Sequence, residues 1–87
     1  MIDRLTLFKA LSDKTRLYII TLLLDGEMSV SKIVPYVKRT QSTVSIHLGK
    51  LEKWGVLESK KEGKKIYYSI KDRRICSIFQ ILDQMKG

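Results

Sequence analysis

The sequence predicts one small, mainly α (α+β) domain: four helices, a two-stranded β-hairpin and a closing helix. Three observations carry this prediction. Apolar residues recur at helical spacing through most of the chain up to Trp54. The period switches to two between Val56 and Ile70, around the turn residues Glu62-Gly63-Lys64. Helical spacing then returns from about Lys71. Eighty-seven residues leave no room for a second domain, so residues 1–87 are taken as one unit. The 44% hydrophobic fraction fits a globular chain, and 5 glycines and 1 proline argue against low complexity. So short a chain buries a thin core, which disfavours a self-contained enzyme with a deep pocket.

The first helix is expected over Ile2–Leu11, with Ile2, Leu5, Phe8 and Leu11 at helical spacing. Ser12 offers an N-cap hydroxyl for the second helix, and Asp13 suits its first turn. Leu17, Ile20, Leu23 and Leu24 form its apolar stripe, widened by Ile19 and Leu22, and Asp25-Gly26 ends it. Glu27-Met28 reads as a short extended piece. Ser29 or Ser31 caps a third helix bearing Val30, Ile33, Val34 and Val37, which Pro35 should bend or delay. Thr40 caps a fourth helix from Gln41 to about Lys53. Its inner stripe is Val44, Leu48 and Leu51, and Gln41, Ser42, Ser45, Gly49, Glu52 and Lys53 lie opposite. Gly55 stops it. Strands are expected over Val56–Lys61 and Lys65–Ile70, and a last helix from about Lys71 to Met85.

Charge is lopsided, with 17 Lys+Arg against 9 Asp+Glu for a net +8. More than half the excess lies in residues 38–65, whose basic groups are Lys38, Arg39, Lys50, Lys53, Lys60, Lys61, Lys64 and Lys65. Such a field favours polyanionic partners. The longest apolar uncharged run, Leu17–Leu24, is far short of a membrane span, and Met1-Ile2-Asp3-Arg4 does not resemble the start of a secretory signal. The one cysteine, Cys76, makes an intrachain disulfide impossible. A cytoplasmic location without a membrane partner is therefore expected.

Helices followed by a hairpin with a basic tip form the layout of a winged helix-turn-helix. A major groove about 12 Å wide accepts one helix presented by two others. The stretch Thr40-Gln41-Ser42-Thr43-Val44-Ser45-Ile46-His47-Leu48 suits that role. Gln41 can pair with adenine in a bidentate way, and the hydroxyls of Ser42, Thr43 and Ser45 can approach bases or phosphates. Free N–H groups at the helix start favour a phosphate. Lys50, with Lys60, Lys61, Lys64 and Lys65 on the wing, supplies further positive charge.

Phe8-Lys9-Ala10-Leu11-Ser12-Asp13-Lys14-Thr15-Arg16-Leu17 resembles the opening signature of the ArsR-type family of small winged-helix regulators. Gln41 to Leu48, with Leu51 and Gly55-Val56-Leu57, resembles its recognition helix and wing entry. Glu62-Gly63-Lys64-Lys65-Ile66-Tyr67-Tyr68 resembles its wing. The resemblance covers about residues 5–70. It implies a homodimer on imperfect palindromes, paired through first and last helices. The sequence departs from the family's sensing chemistry. Where many members carry two thiols, it reads Glu27-Met28-Ser29-Val30-Ser31, and a serine hydroxyl is a poor soft-metal ligand. Arg73 to Met85 has no histidine and only Asp83 as carboxylate, so the zinc site of other members is missing too. No cofactor and no metal are expected.

The family position of His47 implies a DNA-binding role, with a partly buried residue whose ring nitrogen is satisfied as the alternative. Arg16 stays open between a structural cap or salt bridge and a DNA contact. Trp54 is expected in the core at the helix–wing junction. Of Tyr67 and Tyr68, one should pack inward and the other brace the wing. Cys76 reads as a small packing residue, with an intersubunit disulfide as the alternative. Ile75, Ile78, Phe79, Ile81, Leu82 and Met85 make a stripe wider than one thin core needs. Pairing with Leu5, Leu7 and Phe8 of a second copy is expected.

The leading expectation is a dimeric, sequence-specific, DNA-binding transcription regulator, with repression as its expected sense. The alternatives are a winged-helix protein-interaction or non-specific architectural module, for which a basic wing is less expected, and an RNA binder. An enzyme is not expected. The chain holds no paired-carboxylate, Cys–His or Ser–His–Asp constellation and no phosphate-cradling glycine loop.

Overall fold

Among the described residues, 2–85 of a computed structural model, eight elements follow one another. They are α1 (Arg4–Leu11), α2 (Lys14–Leu23), β1 (Met28–Ser29), α3 (Val30–Val37), α4 (Gln41–Lys53), β2 (Leu57–Glu62), β3 (Lys65–Ile70) and α5 (Arg74–Gln84). Met1, Lys86 and Gly87 lie outside the described residues.

Short polar side chains set most helix starts. The Asp3 carboxylate accepts the Thr6 N–H at 2.8 Å, and that of Asp13 accepts the Arg16 N–H at 3.0 Å. Thr40 Oγ1 accepts the Thr43 N–H at 3.2 Å. Each satisfies one of the donors a helix leaves unpaired at its start. Ser12 was expected to cap α2, but Asp13 does. Asp13 holds the extended conformation of a cap, while the Ser12 hydroxyl donates backward to the Lys9 carbonyl at 2.9 Å. Ser29 occupies the cap position of α3 without a side-chain cap bond. Its hydroxyl lies 3.2 Å from that of Ser31.

Pro35 sits inside α3, which nevertheless starts at Val30 and runs to Val37. In a helix this short it removes only the bond its N–H would make to the Ser31 carbonyl. Lys38 ends α3 in the left-handed conformation, at φ 58° and ψ 38°. The chain thereby turns within three residues into α4. A non-glycine residue there costs about 1–2 kcal/mol.

The hairpin turns on Gly63-Lys64, with Glu62 opposite Lys65 and Leu57 opposite Ile70. Gly63 has φ +62°, at the position a type II′ turn reserves for glycine. The expected two-stranded wing gains a third strand. Met28 and Ser29 pair with Tyr68 and Tyr67, so the antiparallel order is β1-β3-β2. This fastens the start of α3 to the middle of β3.

The core is built where α2, α3 and α4 converge on the sheet, from Ile19, Ile20, Ile33, Val44, Leu48, Leu51 and Val56, all fully buried. Three sequence expectations shift by one helical face. Leu17 is partly exposed and Ile19 takes its inward place. Leu7 and Ile75, expected at a contact between copies, are buried in the chain's own core. Helix rotation decides this, because a wide apolar stripe does not say which edge faces inward.

Candidate nucleic-acid interface

Helix α4 presents two unlike faces. Val44, Leu48 and Leu51 are fully buried. Gln41, Ser42, Ser45, Ile46, Gly49, Lys50 and Lys53 are exposed, and Thr43 and His47 are half-buried. The Thr40 cap occupies the Thr43 N–H, and the Val44 N–H goes to the Thr40 carbonyl. The Gln41 and Ser42 N–H groups thus remain at the positive end of the helix dipole. Thr40 also donates to Thr43 Oγ1 at 3.0 Å, fixing the rotamer of the cap.

The wing stands beside this face. A bond from Ser59 Oγ to Glu52 Oε2, 2.6 Å long, ties β2 to α4. Between helix and wing lies a cleft of about 210 Å³, lined by Gln41 and Ser45, Lys64, Lys65 and Ile66, and Ser29, Val30 and Ser31. Gln41, Ser45, Lys64 and Lys65 were predicted from sequence, and the fold brings them to one opening. The sequence marks Ser29 and Ser31 only as helix caps and as hydroxyls where thiols would stand. No local pattern marks them as neighbours of Gln41, because the β1–β3 pairing puts them there.

The wing lysines are not equivalent. Lys60 lies 3.3 Å from Glu27 and 3.5 Å from Glu62, and these carboxylates raise its pKa. Lys61, Lys64 and Lys65 are exposed and, among the described residues, lack a carboxylate partner within ion-pair distance. Lys50 is likewise exposed on α4. Lys38 and Arg39, in the turn before α4, belong to the charge excess of residues 38–65, and no local pattern marks them as candidate contacts. Both are exposed at the end of the helix that carries Gln41.

Arg16, left open by the sequence, is structural. Its side chain is buried, with Nε donating to the Ala10 carbonyl and Nη2 to the Lys9 carbonyl, both at 3.1 Å. From its place in the first turn of α2 it caps the last turn of α1. Its guanidinium lies 5.1 Å from the centre of the Trp54 ring, and the Lys9 ammonium approaches the same ring at 5.4 Å. Trp54 is half-buried beneath these cations. Arg16 Nη1 also comes within 3.5 Å of His47 Nδ1. Burial lowers the His47 pKa, opposed by Asp13 and assisted by Arg16, Lys50 and Arg39. The imidazole is therefore neutral near pH 7, and a neutral ring can accept from Arg16.

The expected surface between copies divides. Leu5, Phe8 and Leu82 are exposed, as are Ile81 beside Leu82 on α5 and Met85 at the cap that ends it. Ile78 and Phe79 are half-buried against the core, as is Cys76. The α5 start is anchored by Arg74. It forms a two-point ion pair with Asp72, at 2.6 Å at its closest, and donates to the Ile2 carbonyl at 2.8 Å. Tyr68 packs on the core, where burial raises its hydroxyl pKa, and Tyr67 is half-buried on the alternate face of β3. No helix among the described residues is long and apolar enough to cross a membrane.

Comparison with known proteins converges on one family. The family profile described as "Bacterial regulatory protein, arsR family" matches residues 13–59. An uncharacterized HTH-type transcriptional regulator of Methanocaldococcus jannaschii is 41% identical over 80 residues, covering 91% of this chain and 90% of that protein. The solved structure of HlyU from Vibrio cholerae matches with a TM-score of 0.87 at 28% identity, over 94% of this chain and 89% of that one. A homodimeric winged helix-turn-helix DNA-binding domain from Mycobacterium bovis matches with a TM-score of 0.81 at 30% identity, over 91% and 73%. These relatives are transcription regulators rather than enzymes. On its matched segment, its relatives and its architecture, this chain belongs to the arsR family of DNA-binding winged-helix transcription regulators.

Proposed function

We propose that the chain acts as a homodimer that reads an imperfectly palindromic DNA site, lowers transcription there, and lacks both of the metal-sensing sites usual in its family. The observation that carries this reading is the exposed polar face of α4 opening onto a wing whose Lys61, Lys64 and Lys65 have no partner among the described residues. One α4 per subunit enters successive major grooves, about 34–36 Å apart or a multiple of it. Gln41 reads a base. Ser42, Thr43 and Ser45 contact bases or phosphates, and Thr40 holds the helix start. Lys50 and the wing lysines neutralise phosphate, Lys60 the least because Glu27 and Glu62 share its charge. His47 braces α4 against Arg16 at the edge of this surface.

The exposed Leu5, Phe8, Ile81, Leu82 and Met85 support pairing through α1 and α5. A homodimeric relative of the same fold supports it too. The donor chemistry supports the lack of a metal response. Hydroxyls stand at Ser29 and Ser31, and Asp83 is the one carboxylate on α5.

Selection of bound duplexes from a random pool tests the reading. An enriched sequence with twofold symmetry is expected. A pool with no enriched motif supports the non-specific architectural alternative instead. On the selected duplex, Gln41→Ala should cost about 1–3 kcal/mol at one base position and relax its specificity. Lys64→Ala should weaken all sequences alike and reduce the salt slope by roughly 1. Uniform loss in both variants overturns the assignment of base reading to Gln41.

A further inference from the structure

Ile46 is the one large apolar side chain on the outward face of α4, and it is 59% exposed. By helical spacing its neighbours are Ser42 and Thr43 one turn before and Gly49 and Lys50 one turn after, so three of the four are small. The buried cluster and the apolar residues seated on it do not include Ile46. Gly49 adds a second, independent oddity. It sits in the middle of a helix, where glycine is unfavourable, with no positive φ to require it. A Cβ built there meets nothing within 4 Å, so no contact inside the chain requires its absence either. An exposed branched side chain beside a bare stretch of backbone is a poor solution for a solvent-facing helix. It suits a helix pressed into a groove, with an apolar knob and clearance for the groove wall next to it.

The major groove offers one apolar feature, the C5 methyl group of thymine. We infer that Ile46 packs on a thymine methyl within the DNA site, making this base a determinant of specificity beside the one read by Gln41. The inference rests on the proposed reading of α4 as the base-reading helix and adds the chemistry of one of its contacts. Gly49 lets the backbone of the following turn approach the groove so that the Ile46 side chain reaches the methyl.

The test replaces thymine by deoxyuracil, one position at a time, in the duplex recovered by selection. Only the methyl is removed, and hydrogen bonding in both grooves stays the same. Burial of one methyl group corresponds to a roughly fourfold change in affinity. The wild type should lose about that factor at one thymine per half-site. In Ile46→Ala the same replacement should have no effect, while the cost of base changes at the Gln41 position is retained. Ile46→Val, which keeps branched methyl groups, should preserve most of the thymine preference. Because Ile46 is exposed, unchanged helical circular dichroism and melting are expected for both variants. Deoxyuracil that is neutral at every position, or a penalty of equal size in wild type and Ile46→Ala, overturns the inference while leaving sequence-specific binding intact. A pool that yields no preferred duplex overturns the underlying reading of α4 and this inference with it.

Discussion

Replacing Arg16 by methionine removes a guanidinium while retaining an apolar side chain of similar reach. Two hydrogen bonds from a charged donor are lost, to the Lys9 and Ala10 carbonyls at 3.1 Å each, and so is the contact with the Trp54 ring at 5.1 Å. A hydrogen bond to a charged group contributes about 1.5–3 kcal/mol and a cation–π contact about 0.5–2 kcal/mol. These contributions do not simply add, because all three share one side chain and the freed carbonyls at the end of α1 regain some water. A loss of about 3 kcal/mol is expected, a large fraction of the 5–15 kcal/mol typical of a folded domain. In a domain of this size that lowers the melting temperature by roughly 12–24 °C. Urea unfolding at a fixed protein concentration, followed by circular dichroism, measures it, the concentration being held fixed because the proposed pairing of copies would couple to stability. Arg16→Lys should recover little, since one ammonium cannot reach both carbonyls and stack on the ring. At low temperature, where the variant stays folded, the salt dependence of DNA binding should be unchanged. A midpoint shift worth less than about 0.5 kcal/mol, the ordinary range of a surface substitution, refutes the capping role.

Gly49→Ala should stabilise the fold by about 1 kcal/mol, read as a higher urea midpoint, because the added methyl meets open space and alanine favours the helix. His47 has a pKa lowered by burial in the folded chain, so the unfolded chain binds its proton more readily. Its contribution to stability is full above the unfolded value of about 6.5 and is lost as pH falls below that toward the folded value. His47→Gln should flatten this part of the stability–pH curve. Asp3, Asp13 and Asp72 are all held below the usual carboxylate value, chiefly by hydrogen bonds from Thr6, Arg16 and Arg74. Their contribution is complete above pH ~4 and lost at lower pH, so Asp72→Asn should make acid unfolding shallower. Phe8→Glu places a charge on the exposed apolar face of α1 and should yield a monomer in sedimentation, with weaker binding to a two-half-site duplex.

Elements with local signals were legible residue by residue. Thr40 and Gly55 bracket α4 because a capping hydroxyl and a positive-φ glycine act on their immediate neighbours. Gly63 turns the hairpin for the same kind of reason. The outer face of α4 follows from its period. The departures from local expectation have a common physical cause. Ser12 and Asp13 are both good caps one residue apart, and only the path of the chain between α1 and α2 selects Asp13. The two-residue β1 carries no pattern of its own and exists because β3 is there to receive it.

The amino-acid sequence by itself determined where most helices begin and end, where the hairpin turns, and that positive charge gathers in residues 38–65. These depend on neighbours along the chain and on composition. Tertiary structure alone decided that Arg16 turns inward to cap α1, that Ser29 and Ser31 stand beside Gln41, and that Ile75 is buried while Leu82 is exposed. Each of these depends on how one helix or strand is rotated and seated against another. A rotation of a few tens of degrees exchanges buried and exposed residues without altering a single local preference.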